Sequence, residues 1–210
     1  MAFDLAWDFR ATSVFVTDPA YACFASTEVY PNTYTNGNGL SLNAGWTATP
    51  DDASNLLVGN DPRIAGRVRG TPSVGIDFQI DLSSGSAPGA GTYTVDVAFG
   101  REGGGGVDYA AGVIKDDTTT VIDATNGGAG FADGDDHFRD ATVTNVTATT
   151  TWTGATVTQA FATTTVHVVT SALGTTKYNG LAHFRLTLQG GDVVQQHFGR
   201  GIGRGFFVGR

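Results

Sequence analysis

The chain has one cysteine, Cys23, and two glutamates, Glu28 and Glu102, in 210 residues. A lone cysteine excludes an intrachain disulfide, so the fold must be held by packing or assembly. Cys23 itself is expected as a small buried group and not as a nucleophile. Basic residues are also few: twelve Lys+Arg against twenty Asp+Glu leave a net charge of −8 and a pI near 4.7. That balance opposes a phosphate backbone, and no nucleic-acid partner is expected. No apolar run approaches the roughly 18 residues of a membrane span, and the opening MAFDLAWDFR alternates where a signal peptide would be continuously apolar. Neither a membrane partner nor a cleaved leader is expected. Proline is scarce too, at six residues.

Thirty glycines and abundant threonine take the place of these missing types. Threonine suits a pleated surface and glycine supplies positive φ, so the composition predicts many strands joined by turns, with no long helix. Phe3, Leu5, Trp7 and Phe9 alternate with Asp4, Ala6 and Asp8, which predicts a strand with one apolar face. Val14–Val16 reads as its short continuation, and Tyr21–Phe24 as another extended piece. From 30 to 61 the chain is rich in Asn, Gly, Thr and Asp, and reads as long excursions around one strand. A strand is expected over 64–69. Ile76, Phe78, Ile80 and Leu82 alternate, as do Tyr93, Val95, Val97 and Phe99, and these two runs are expected to pair as a central hairpin. Further strands are expected over 107–115, at Val121 and Ile122, and over 156–169. Val143 and Val146 are candidate inward residues. The last strand, 181–188, should place Ala182, Phe184, Leu186 and Leu188 on one side.

This pattern predicts an all-β, two-sheet antiparallel sandwich of the jelly-roll type over 1–189. The ending GGDVVQQHFGRGIGRGFFVGR is glycine-punctuated, basic and aromatic, and reads as a tail, 190–210, that docks on a neighbour. Phe198, Arg200, Arg204, Phe206, Phe207 and Arg210 are its candidate anchors, because aromatic and arginine side chains dominate interface energetics.

Chemistry-bearing motifs are thin. Asp133, Asp135 and Asp136, with Asp140 nearby, are candidate oxygen ligands for a structural Ca²⁺, but without EF-hand spacing they read first as a solvated acidic loop. Asp116, Asp117 and Asp123 read as turn chemistry. The glycines at 103–106 are followed by neither GK[ST] nor a helix, which excludes a phosphate loop. His137, His167, His183 and His197 lack metal-binding spacing and are expected on strand faces or in the tail. No nucleophile elbow is present, so no catalytic residue is assigned and no cofactor is expected. Tyr30, Tyr34, Trp46 and Tyr109 are candidate stacking platforms for a glycan. They and Trp152 compete with a role as core plugs, and for Trp46 and Trp152 packing is the expected outcome.

The phrases FDLAWDFR, Tyr30-Pro31, GLSLNAGW, NDPRIAGR, IDFQIDL with GTYTVDVAFG, TTTVHVV and LAHFRLTL, spanning 3–188, resemble malectin-like and galactose-binding-like jelly rolls. WDFRATSVFVTDP with DPRIAG is also similar to bacteriophage structural proteins that carry such a sandwich. The resemblance implies a non-enzymatic virion component, a capsid decoration or accessory protein in several copies that docks on another capsid or tail protein. Release by lysis within a particle is consistent with the missing leader. The alternative it implies is a carbohydrate-binding module for a host-surface or cell-wall glycan, including one carried on a tail fibre. No ligand residue carries over from the family.

Overall fold

The computed structural model describes residues 3–10, 18–55, 61–70, 75–101, 112–124, 137–142, 144–146, 151–170 and 180–190. Fifteen strands follow in chain order: β1 (Asp4–Phe9), β2 (Tyr21–Phe24), β3 (Asn32–Thr35), β4 (Ser41–Ala48), β5 (Asp52–Asn55), β6 (Gly66–Arg69), β7 (Asp77–Asp81), β8 (Gly91–Arg101), β9 (Gly112–Asp116), β10 (Thr119–Asp123), β11 (His137–Arg139), β12 (Asn145–Val146), β13 (Val157–Phe161), β14 (Thr165–Thr170) and β15 (Gly180–Leu188). They form two sheets, as expected of a sandwich. No helix among the described residues is long and apolar enough to cross a membrane.

The nine-stranded sheet runs β12-β11-β8-β15-β1-β2, with β13 also on β8 and β6, carrying β5, on β15. The six-stranded sheet runs β10-β9-β14-β7-β4-β3. The strand pairs are antiparallel except β1 with β2, which is parallel. Alternation sets the two faces. Phe3 just before β1, Leu5, Trp7 and Phe9 of β1, Tyr93, Val95, Val97 and Phe99 of β8, and Phe184 and Leu186 of β15 enter the core from one sheet. Leu42, Ala44, Trp46, Phe78, Ile80, Ile114, Val166 and Val168 meet them from the other. Phe78 is the hub, its ring 4.9–5.6 Å from those of Trp7, Phe9, Phe24 and Trp46. Such ring pairs stabilise beyond the area they bury.

Four expectations need correcting. β7 and β8 do not pair. They lie in opposite sheets, so the turn between them is a crossover that lets both alternating runs face one core. The run 156–169 is likewise two strands, β13 on β8 and β14 on β7, separated where Asp116 accepts hydrogen bonds from Ala162 N at 2.6 Å and Thr163 N at 3.0 Å. The segment 30–61 holds three strands, of which β4 pairs with β7. Finally, a register shift between Leu181 and His183 turns Ala182 away from Phe184 and Leu186 and into a separate cluster. Val14–Val16 and Val143 lie outside the described residues.

Candidate functional site

The outer face of the nine-stranded sheet carries the chain's densest chemistry. Register brings two rows of side chains across β2, β1, β15 and β8: Tyr21, Ala6, Arg185 and Asp96 in one, and Cys23, Asp8, His183 and Ala98 in the next. A sheet face of this composition would ordinarily meet water. Here Asp8, Arg10 and His183 are each fully buried. The covering comes from the chain itself. Ile64, Ala98, Phe138, Val146, Trp152 and Ala182 form a second, smaller apolar cluster on this outer face.

Trp152 caps the site. Its ring meets the His183 ring edge-on at 5.2 Å, and its Nε1 donates to Asp96 Oδ1 at 3.0 Å. Asp96 Oδ1 also lies 3.1 Å from His183 Nε2. Burial works against ionisation of Asp96, yet His183, Trp152 and Arg63 together hold its carboxyl below the ordinary range. The capping segment is anchored by Asp61, which accepts from Trp152 N at 2.6 Å and from Arg63 Nε and Nη2 at 3.0 and 2.8 Å. Burial again opposes the charge, but these donors lower the Asp61 carboxyl to about 2. Asp140 adds a second anchor by accepting from Ala155 N at 2.7 Å. Gly154 is required beside the cap, since a Cβ there would lie 2.1 Å from the Trp152 indole.

Below the cap, Arg10 Nη2 pairs with Asp8 Oδ2 at 2.5 Å and also donates to the Pro62 carbonyl. Gly66 makes room for it, because a Cβ there would meet Arg10 Cβ at 2.6 Å. Burial pushes the Asp8 carboxyl up to about 6, with Arg10 offsetting part of that rise. Asp8 Oδ1 and His183 Nδ1 are buried without a hydrogen-bond partner among the described residues. Toward the strand ends the face opens: Arg185 donates from Nε and Nη2 to both oxygens of Asp4, lies 3.0 Å from Asp18 and packs 5.6 Å from the Tyr21 ring centre.

The glycan platforms fare differently from one another. Tyr34 and Trp46 are core plugs and not ligand contacts: Trp46 is fully buried and donates Nε1 to the Ala25 carbonyl at 2.8 Å, and Tyr34 donates Oη to the Ala6 carbonyl at 3.1 Å. They are buried because both project inward from β3 and β4. Trp152 is buried as well, in the outer cluster. Tyr30 is half-buried, beside Val29, which is 57% exposed. Tyr109, the acidic group Asp133, Asp135 and Asp136, and the tail anchors Phe198, Arg200, Arg204, Phe206, Phe207 and Arg210 lie outside the described residues. Asp140, their acidic neighbour, is engaged by the backbone of 142, 144 and 155. His167 sits on a strand face, with Nδ1 2.8 Å from Asp77. Cys23 is half-buried, and burial pushes its thiol up to about 11. That leaves little thiolate at neutral pH.

No family model matches the chain, and no curated protein does. Among solved structures it is similar to the YxiM protein of Bacillus subtilis, at 16% identity and a TM-score of 0.44 over 89% of this chain and 40% of that one. The chain thus spans about two fifths of that protein's length. It is also similar to a carbohydrate-binding module, CBM61, solved in complex with β-1,4-galactotriose, at 15% identity and a TM-score of 0.23 over 68% of this chain and 83% of that one. The sandwich assignment rests on the sheet registers themselves.

Sequence reading passed over Asp8, Arg10, Asp96 and His183 because alternation marks them as the solvent side of their strands. One local signal was available. Asp8 and Arg10 are opposite charges two residues apart on one strand face, a pair able to enter an interior together.

Proposed function

We propose that the chain is a non-enzymatic structural protein of a virion, a capsid decoration or accessory protein that docks on a neighbouring virion protein and assembles in several copies. The observation that carries the scaffold part is the enclosure of the Asp96–His183 pair. The best-placed carboxylate and imidazole lie under Trp152, and the groups around them are engaged in fastening one segment of the chain to another. Such a face serves rigidity.

The partner contact then falls to the tail. It leaves the sandwich from β15, a strand held on both edges: by β8 over 181–188 and by β1 over 183–187. Leu188 N donates to the Phe3 carbonyl and Gln189 N to the Thr92 carbonyl, so the tether point is tied to both neighbours. Phe198, Arg200, Arg204, Phe206, Phe207 and Arg210 are the proposed anchors, and the similarity of WDFRATSVFVTDP and DPRIAG to phage structural proteins supports the setting. Removal of 190–210 is expected to leave the sandwich folded and abolish co-sedimentation with particles. Undiminished attachment of the truncated protein would refute the docking role.

The carbohydrate-binding reading keeps Tyr30, the one candidate platform near the surface among the described residues. Calorimetric titration with polysaccharides separates the two readings: binding that Tyr30→Ala removes would favour the glycan module.

A further inference from the structure

We propose that segments 61–64 and 151–155 form a proton-linked lid over the outer face of the nine-stranded sheet, with Asp8 as the group that exchanges its proton when the lid lifts. The lid is fastened to itself through Asp61, which holds Trp152 N and the Arg63 guanidinium. Beyond itself it is fastened at three places: Trp152 Nε1 on Asp96, the Pro62 carbonyl on Arg10, and Ala155 N on Asp140, which follows β11. Arg10 is therefore shared between the lid and Asp8, 2.5 Å away. Lifting Pro62 disturbs the ion pair, and displacing Trp152 uncovers His183, which register places directly beside Asp8.

Several charged and titratable groups face this point. Arg10 lies on the same strand, Cys23 and Tyr21 on β2, His183 and Arg185 on β15, and Asp96 on β8. Arg67 projects to the same face of β6, opposite in sense to the core residue Val68, and Asp61 and Arg63 belong to the lid. Within this group Arg10 and His183 favour the Asp8 anion, but the dry surroundings outweigh them and the closed state retains the proton up to about pH 6. Water entering on opening would restore the ordinary acidity of Asp8 and also reach the buried His183 Nδ1. The lid is held to the sheet by single hydrogen bonds and not by a strand register, so its opening should cost less than that of the core strands.

The sign follows from the proton count. Closed molecules hold the Asp8 proton more tightly than open ones, so the lid is tightest in acid and loosens as pH rises. The opening equilibrium should increase by up to about tenfold per pH unit between about 4 and 6.

Hydrogen exchange on the whole chain, corrected for intrinsic rates, tests this. Over that interval, protection at Arg63, Ile64, Trp152 and Ala155 should fall by up to about a hundredfold while β8 and β15 keep theirs, and Asp8→Asn should flatten the dependence. Lid and core strands losing protection together, or an unchanged slope in Asp8→Asn, would overturn the proposal. Where that variant does not fold, ¹³C titration of the Asp8 carboxyl in the unmodified protein decides. A midpoint near 6 supports the lid, and one near the ordinary value of about 4 removes its basis.

Discussion

Two aspartates on the same side of the molecule respond to acid in opposite ways. Asp61 is stabilised as the anion, so its contribution is present above the ordinary carboxylate range and is lost as pH falls through about 4 toward 2. Asp8 binds its proton more tightly in the fold than in the unfolded chain, so on its account stability declines as pH rises from about 4 to about 6. In urea denaturation, the stability of Asp8→Asn relative to the unmodified protein should accordingly rise by about 2–3 kcal/mol between about pH 4 and neutral pH. Asp61→Asn should be less stable than the unmodified protein at pH 7, with the deficit shrinking below pH 3. Phe78 is a simpler case. Truncating it to alanine empties the space shared by Trp7, Phe9, Phe24 and Trp46 and should cost about 3–5 kcal/mol in the same measurement.

At the scale of elements, the cap depends on one glycine. Gly154→Ala would drive a methyl group into the Trp152 indole, and the expected outcome is a red-shifted tryptophan emission with a loss of about 1–3 kcal/mol. β1, β7 and β8 were legible in the sequence because each buries one face in the main core and so alternates strictly, and β15 does so from Phe184 onward. β3 and β4 were obscured by Asn and Thr at positions facing outward. The partnering of strands was less legible than their existence: alternation tells which side of a strand is apolar, and it is equally satisfied by a hairpin and by a crossover between sheets. That is why β7 and β8 read as a pair. The buried polar site was illegible for a related reason. A polar residue on the outward side of a strand signals solvent until a distant segment covers it, and Trp152 reaches His183 from 31 positions away. The crowding of Trp46 against Phe9, Phe24 and Phe78 likewise becomes visible only when two sheets meet.

For the molecule as a whole, the partners of each central strand are far apart in the chain. β8 joins β15 and β11, β14 joins β7 and β9, and β1 joins β15 across 181 positions at the Arg185–Asp4 contact. Folding dominated by such pairings is slow, and refolding monitored by tryptophan fluorescence should take about milliseconds to seconds and not microseconds. The pairing of β1 with β15 also bears on synthesis. β1 leaves the ribosome with Leu5, Trp7 and Phe9 in place, yet the strand that completes its edge is translated some 180 residues later. At about 5–20 residues per second, that is a wait of roughly ten to forty seconds. During it the nascent chain carries an apolar strand that β2 alone can flank, with its other edge open, which makes the period before residue 188 is translated the stage at which a holdase chaperone would matter most to the yield of this protein.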